Sequence, residues 1–195
     1  SFAGHLSACV MEHLLWQRRI PFSIVTDSFV TPQGLRDFDL LIVPNVLFLS
    51  AEQLATIEEF VSRGGAVLIT EQSGAYDGED RRRSRDAWER LFGEVSDRSA
   101  GEAAAAYAEF GRGRGVRLSR IDYRHPPRSL PRGFYNGKYQ GADARYWQEP
   151  HNAAEIVDAV EWLYPGCRPF RVYGAPETRT DWLSLPDGSA AVPMV

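Results

Sequence analysis

The stretch from Asp39 to Thr70 constrains this chain most, because two continuous apolar runs flank one amphipathic segment. "LLIV", residues 40–43, and "AVLI", residues 66–69, do not alternate apolar with polar. A strand whose side chains are all apolar must be covered on both faces, and such strands belong to parallel sheets packed between helices. Between the two runs lies "SAEQLATIEEFVSRGG", residues 50–65. Ser50 stands at the N-cap and Gln53 follows three residues later, the spacing at which the two side chains satisfy free amides of the first turn. Leu54, Ile57, Phe60 and Val61 recur at helical spacing as one apolar stripe, and Gly64-Gly65 supplies the stop. The pattern predicts two strands of a mainly parallel sheet joined by a helix.

The remaining segments extend that alternation. Residues 4–19, "GHLSACVMEHLLWQRR", predict a first helix with Leu6, Cys9, Val10 and Leu14 inward. Arg18 and Arg19 are expected in its last turn, where cations suit the helix dipole. "FSIVTD", residues 22–27, predicts a strand. A helix over 85–92 would bury Trp88, Leu91 and Phe92. The alanine-rich residues 99–110 are helical by propensity, although an irregular strand also fits them. A glycine turn then leads into a strand over 116–121. Residues 124–150 have no periodicity and carry Phe134, Tyr135, Tyr139, Tyr146 and Trp147. A last helix over 152–164 can be capped by Asn152 and lined by Ile156, Val157, Val160 and Leu163. Pro186-Asp187-Gly188 predicts a turn between two short alternating segments, hence a C-terminal β-hairpin. The fold class is α/β: a doubly wound, mainly parallel, flavodoxin-like sheet over residues 1–170, followed by a β-strand tail over 171–195. The chain opens almost inside a helix and closes in mid-strand, so a piece of a longer polypeptide is expected.

Several functions are disfavoured by totals. A net charge of −4 gives no electrostatic footprint for nucleic acid. The cluster Arg81-Arg82-Arg83 with Arg85 sits among Glu79, Asp80 and Asp86 and reads as a solvated, self-neutralised helix start. Two cysteines, Cys9 and Cys167, and four histidines make neither a disulfide framework nor a metal site at ligand spacing. No metal and no cofactor are expected. No apolar run reaches the roughly 18 residues of a membrane helix, and no signal peptide is visible, so a soluble cytoplasmic protein with no membrane partner is expected.

In a doubly wound sheet, ligands bind beyond the C-terminal ends of the strands. Those ends are Thr26-Asp27, Pro44-Asn45, Thr70 to Ser73 and Asp122 to His125. "TEQSGA" after the apolar run resembles a nucleophile elbow, with Ser73 as nucleophile and His125 as base. Glu71, two residues before Ser73, would crowd such a turn. Glu71, Asp77 and Glu79 together offer acid/base groups, or simply a solvated loop. Asn45 can line a pocket, or bond its own backbone as a turn residue.

The strand order and His125-Pro126 resemble the class I glutamine amidotransferase-like fold. That family has a Cys at the elbow and a His-Pro-Glu after a late strand. Here Ser73 has no neighbouring Cys and Pro127 follows His125-Pro126, so amidotransferase activity does not carry over. "FDLLIVPNVLFLSAEQLATIEEFVSRGGAVLITEQSG", "GRGRGVRLSRI" and "NAAEIVDAVEWL" resemble one non-catalytic branch of that fold, the middle or trimerisation domain of family 42 β-galactosidases. "RPFRVYGAPETRTDWLSLPDGSAAVPMV" is similar to the passage into their small C-terminal β-domain. The resemblance implies a homo-oligomer, a trimer in that branch, joined to a catalytic barrel that supplies both carboxylates. It makes the chain a scaffold without catalytic residues. Two other readings stay open: a stand-alone hydrolase or amidotransferase-like enzyme using Ser73 and His125, and a sugar or small-molecule binding module.

Overall fold

The computed structural model describes residues 2–93, 105–124, 148–166, 183–184 and 190–191. Its centre is a four-stranded sheet in the order β1-β2-β4-β3. Strands β1 (Leu40–Pro44), β2 (Ala66–Thr70) and β4 (Gly113–Leu118) run parallel, and β3 (Ala105–Phe110) closes one side antiparallel to β4. Leu40 pairs with Ala66 and Pro44 with Thr70, so the two apolar runs lie in register.

Side chains of these strands alternate between two cores. Leu68, Val116 and Leu118 face helices α1 (Phe2–Gln17) and α4 (Ala153–Leu163). Leu41, Val43, Val67 and Ile69 face α2 (Ala51–Ser62) and α3 (Glu89–Phe92). Both faces of the sheet are covered, which is why its central strands carry no polar alternation. The capping box of α2 forms as expected: Gln53 N–H donates to Ser50 Oγ at 3.1 Å, and Ser50 N–H donates to Gln53 Oε1 at 2.8 Å. Leu54, Ile57, Phe60 and Val61 are buried, as are Leu6, Cys9, Val10 and Leu14 on α1 and Ile156, Val157, Val160 and Leu163 on α4.

Four elements differ from expectation. Residues 22–26 are not in a ladder; Phe22 and Ile24 are exposed, and among the described residues no backbone hydrogen bond joins this segment to the sheet. Helix α1 ends at Gln17, and Arg19 takes a φ of 57°, so neither arginine is in the last turn. Only Glu89–Phe92 is helical where 85–92 was expected. Ahead of it Arg81 and Arg83 serve a turn, Arg81 pairing with Asp77 and Glu79, Arg83 donating to the carbonyls of Leu49 and Gly74. The alanine-rich segment takes the second of its two readings, strand β3, because antiparallel pairing with β4 overrides its helical propensity. Strand β4 begins at Gly113, earlier than expected. A Cβ there would meet the carbonyl oxygens of Val61 and Gly65 at 2.1 Å, so the α2 C-terminus can approach the strand only over glycine.

Asn152 stands before α4, but its side chain does not cap the helix. It accepts from Asp122 N–H at 2.9 Å and donates to the Arg120 carbonyl at 3.1 Å, tying α4 to the end of β4. Strands β5 (Leu183–Ser184) and β6 (Ala190–Ala191) pair antiparallel. The Pro186-Asp187-Gly188 turn, Cys167, the 170/171 domain boundary and the aromatic residues 134–147 lie outside the described residues.

Candidate functional site

Two neighbouring strands end in the same unusual way. Asn45 follows β1 with a φ of 51°, and Glu71 follows β2 with a φ of 54°. The left-handed region costs a residue with a Cβ roughly 1–2 kcal/mol, and Asn tolerates it better than Glu. The two corners support each other. Asn45 N–H donates to Thr70 Oγ1 at 3.0 Å, and Asn45 Oδ1 accepts from Gln72 N–H at 3.3 Å. Asn45 thus bonds across to the neighbouring corner and not to its own backbone, as a simple turn residue would.

Ser73 belongs to this stitching. It is 3% exposed. Its Oγ lies 2.9 Å from the Val43 carbonyl and 2.8 Å from the Thr70 carbonyl, and accepts from Val46 N–H at 3.0 Å. The single hydroxyl proton is directed at two main-chain acceptors. The Ser73 carbonyl accepts from Trp88 Nε1 at 2.7 Å, and Trp88 is itself fully buried. Gly74 follows with a φ of 77°, and a Cβ there would sit 2.9 Å from that of Ala87. The residue that turns sharply after β2 is therefore Glu71, not Ser73. His125 lies outside the described residues.

Glu71 points to the opposite layer. Its Oε2 accepts from Ser7 Oγ at 2.8 Å and from the Tyr123 hydroxyl at 3.2 Å. The hydroxyls of Ser7 and Tyr123 are 2.5 Å apart. Ser7 comes from α1 and is completely buried; Tyr123 comes from the segment after β4. Burial pushes the Glu71 carboxyl above its ordinary value, although the bonds from Ser7, Tyr123 and the Ile121 amide pull it back. Burial likewise raises Tyr123. The group suits holding three elements together through one carboxyl, and it contains no activated nucleophile.

The acidic residues after β2 do not converge. Asp77 accepts from the amides of Arg81 and Glu79 and from the Arg81 guanidinium, and these bonds hold its carboxyl down to about 2. Glu79 pairs with the same arginine. Among the described residues no three of His, Cys, Asp and Glu are grouped to hold a metal ion, and no helix is long and apolar enough to cross a membrane. Cys9 lies on α1 with its thiol raised by burial and by the charge of Glu12. Ser7 and Tyr123 carry no mark of this role in the sequence. A serine within a helix and a tyrosine past a strand give no local signal of meeting, since they are brought together across 116 residues.

Residues 13–114 match the family model of the β-galactosidase trimerisation domain. The chain belongs to that family. Its matched span runs from α1 through both left-handed corners to the start of β4, so the stitched strand ends are part of the trimerisation domain. The structure is similar to the β-galactosidase from Bacillus circulans sp. alkalophilus, with a TM-score of 0.59 and 11% identity over 92% of this chain and 30% of that one. It is also similar to the β-galactosidase from Rahnella sp. R3, with a TM-score of 0.57 and 14% identity over 89% of this chain and 29% of that one. The trimerisation-domain chain thus spans less than a third of the length of either enzyme. Comparison with curated proteins finds no match.

Proposed function

We propose that this chain is a non-catalytic oligomerisation and scaffold domain of a β-galactosidase-like glycoside hydrolase. The observation that carries the reading is the family match over residues 13–114. The geometry is consistent with it. Ser73, the best nucleophile candidate in the sequence, is buried with its proton directed at main-chain carbonyls, whereas a nucleophile needs a base for that proton and an open path to substrate. Helices α1 and α4 on one face and α2 and α3 on the other support the finer reading of a doubly wound, amidotransferase-like sheet. The pairing of β5 with β6 supports a hairpin over 171–195 that begins a small β-domain.

The scaffold holds copies of a longer cytoplasmic polypeptide together as a trimer, with a catalytic barrel as its covalent neighbour. Sedimentation equilibrium of the purified chain, with a galactosidase assay on the same sample, tests this. A trimer without hydrolysis is expected. A monomer at every concentration would remove the scaffold role, and hydrolysis abolished by Ser73→Ala would transfer the reading to an enzyme.

A further inference from the structure

Glu71, Ser7 and Tyr123 meet in a closed triangle of oxygens. Glu71 Oε2 lies 2.8 Å from Ser7 Oγ and 3.2 Å from the Tyr123 hydroxyl, and the two hydroxyls lie 2.5 Å apart. All three contacts are within hydrogen-bond distance, and each requires a proton between its oxygens. Ser7 and Tyr123 carry one hydroxyl proton each, and an ionised carboxylate carries none. Two protons then serve three contacts. If both hydroxyls donate to Oε2, the contact without a proton is the shortest, at 2.5 Å. If Tyr123 donates to Ser7 instead, the carboxylate is left one donor short. A proton on the carboxyl supplies the third bond: Oε2 donates to Tyr123, Tyr123 to Ser7, and Ser7 back to Oε2.

Only the carboxyl of this group changes charge near neutral pH. Tyr123 keeps its proton, because burial and then the Glu71 charge push its hydroxyl above its ordinary value. The other titratable groups nearby have their own surroundings. On α1, His5 and Glu12 line a cavity beside β1, and His13 packs on Trp16. In the turn after β2, Asp77 and Glu79 pair with Arg81. After β4, Asp122 faces Arg120, Arg124 donates to the Glu149 carbonyl, and the Glu149 carboxylate pairs with Arg18. His151 and Glu155 stand at the start of α4. None of these charges shifts the Glu71 carboxyl, which answers to burial and to its bonds from Ser7, Tyr123 and the Ile121 amide.

The three partners are not held equally. The Glu71 amide donates to the Leu118 carbonyl at 2.9 Å, which fixes the corner to β4. Ser7 is completely buried on α1, between the core residues Leu6 and Val10. Tyr123 belongs to residues 119–124, which form neither helix nor strand and are exposed at Arg120 and Arg124. Repulsion in the ionised triangle is relieved where the chain is least held, at Tyr123. We propose that the triangle is a pH-sensitive clasp: one proton on Glu71 closes it, and loss of that proton releases Tyr123 and its segment from α1. The closed form holds the extra proton. The clasp is therefore fully closed below the ordinary carboxylate value of about 4.3, and it opens as pH rises through the higher value of the folded chain. Asn152 joins the same segment to α4 through the Asp122 amide, so release reaches the passage from β4 to α4. This goes beyond the scaffold reading and does not depend on it.

The test reads the carboxyl and the segment separately. The Glu71 Cδ resonance reports the carboxyl's titration. Exchange of the Ile121, Asp122 and Tyr123 amides, corrected for its intrinsic pH dependence, reports opening of the segment. Both are measured from about pH 4 to about pH 8 on the wild-type chain, on Glu71→Gln and on Tyr123→Phe. In the wild-type chain, protection of these amides should fall about three- to fivefold, at the midpoint of the carboxyl titration. Glu71→Gln, whose amide donates at every pH, should keep protection constant. Tyr123→Phe should show low protection throughout. Wild-type protection that stays level while the carboxyl titrates overturns the proposal. So does a fall at a different midpoint, or the same fall in Glu71→Gln. Should either variant fail to fold, the coincidence or separation of the two wild-type midpoints still decides. Trimer formation and hydrolysis enter neither readout, so the scaffold reading stands or falls by its own test.

Discussion

Ser73 and Glu71 stand two residues apart in one turn and have opposite surroundings. The Ser73 hydroxyl faces main chain only, two carbonyls and one amide, while the Ser73 carbonyl takes the Trp88 indole. Glu71 faces other side chains, from α1 and from the end of β4. One residue locks a turn to its own sheet; the other ties separate elements of the fold across the sheet's end. A serine near the end of a parallel strand is therefore weak evidence for a nucleophile until its proton is accounted for. Here the sharp corner belongs to the glutamate, and the serine behind it completes the main-chain hydrogen bonding.

The contrast can be broken in order of expected effect. Trp88→Ala removes the largest fully buried side chain among the described residues and the donor to the Ser73 carbonyl. It should cost about 3–5 kcal/mol in urea unfolding. Ser73→Ala leaves Val46 N–H without its acceptor and should cost about 1–3 kcal/mol. Asn45→Ala puts a left-handed alanine at the neighbouring corner and removes the acceptor of Gln72 N–H; a loss of about 1–2 kcal/mol is expected.

Glu71→Gln should have the smallest effect and the most informative pH dependence. The folded-state pKa of Glu71 is raised, first by burial. Its neutral form therefore stabilises the fold fully below the unfolded carboxylate value of about 4.3, and that contribution is lost as pH rises through the raised folded value. Denaturation measured from pH 4 upward should show wild-type stability declining over this window relative to Glu71→Gln. The variant should be the more stable at neutral pH by under ~1 kcal/mol. A variant less stable than wild type at neutral pH would mean that the charged carboxylate is the form the site prefers.

What was legible in the sequence followed from periodicity and caps. The runs at 40–43 and 66–69 and the Ser50–Gln53 box specify β1, α2 and β2 because every signal there is local and consistent. The alanine-rich segment fitted helix or strand by its own residues, and the pairing with β4 decides for strand. "FSIVTD" failed as a strand, since a strand-like sequence makes no ladder without a bonded neighbour. At the site, Ser73 and Glu71 were visible as residue types at a strand end. Which of them turns the corner depends on a backbone angle, and the meeting of Ser7, Glu71 and Tyr123 depends on how α1 packs.

The turn after β2 in this assembly domain holds Ser73 buried, with its proton on main-chain carbonyls. The most direct measurement is labelling of the native chain with a fluorophosphonate, followed by peptide mass spectrometry of the segment that holds Ser73. The account predicts no label on Ser73 after prolonged exposure, with label appearing there no faster than on other serines when the chain is unfolded. Stoichiometric, rapid labelling of Ser73 in the folded chain, lost in Ser73→Ala, would contradict it and make the turn an active elbow.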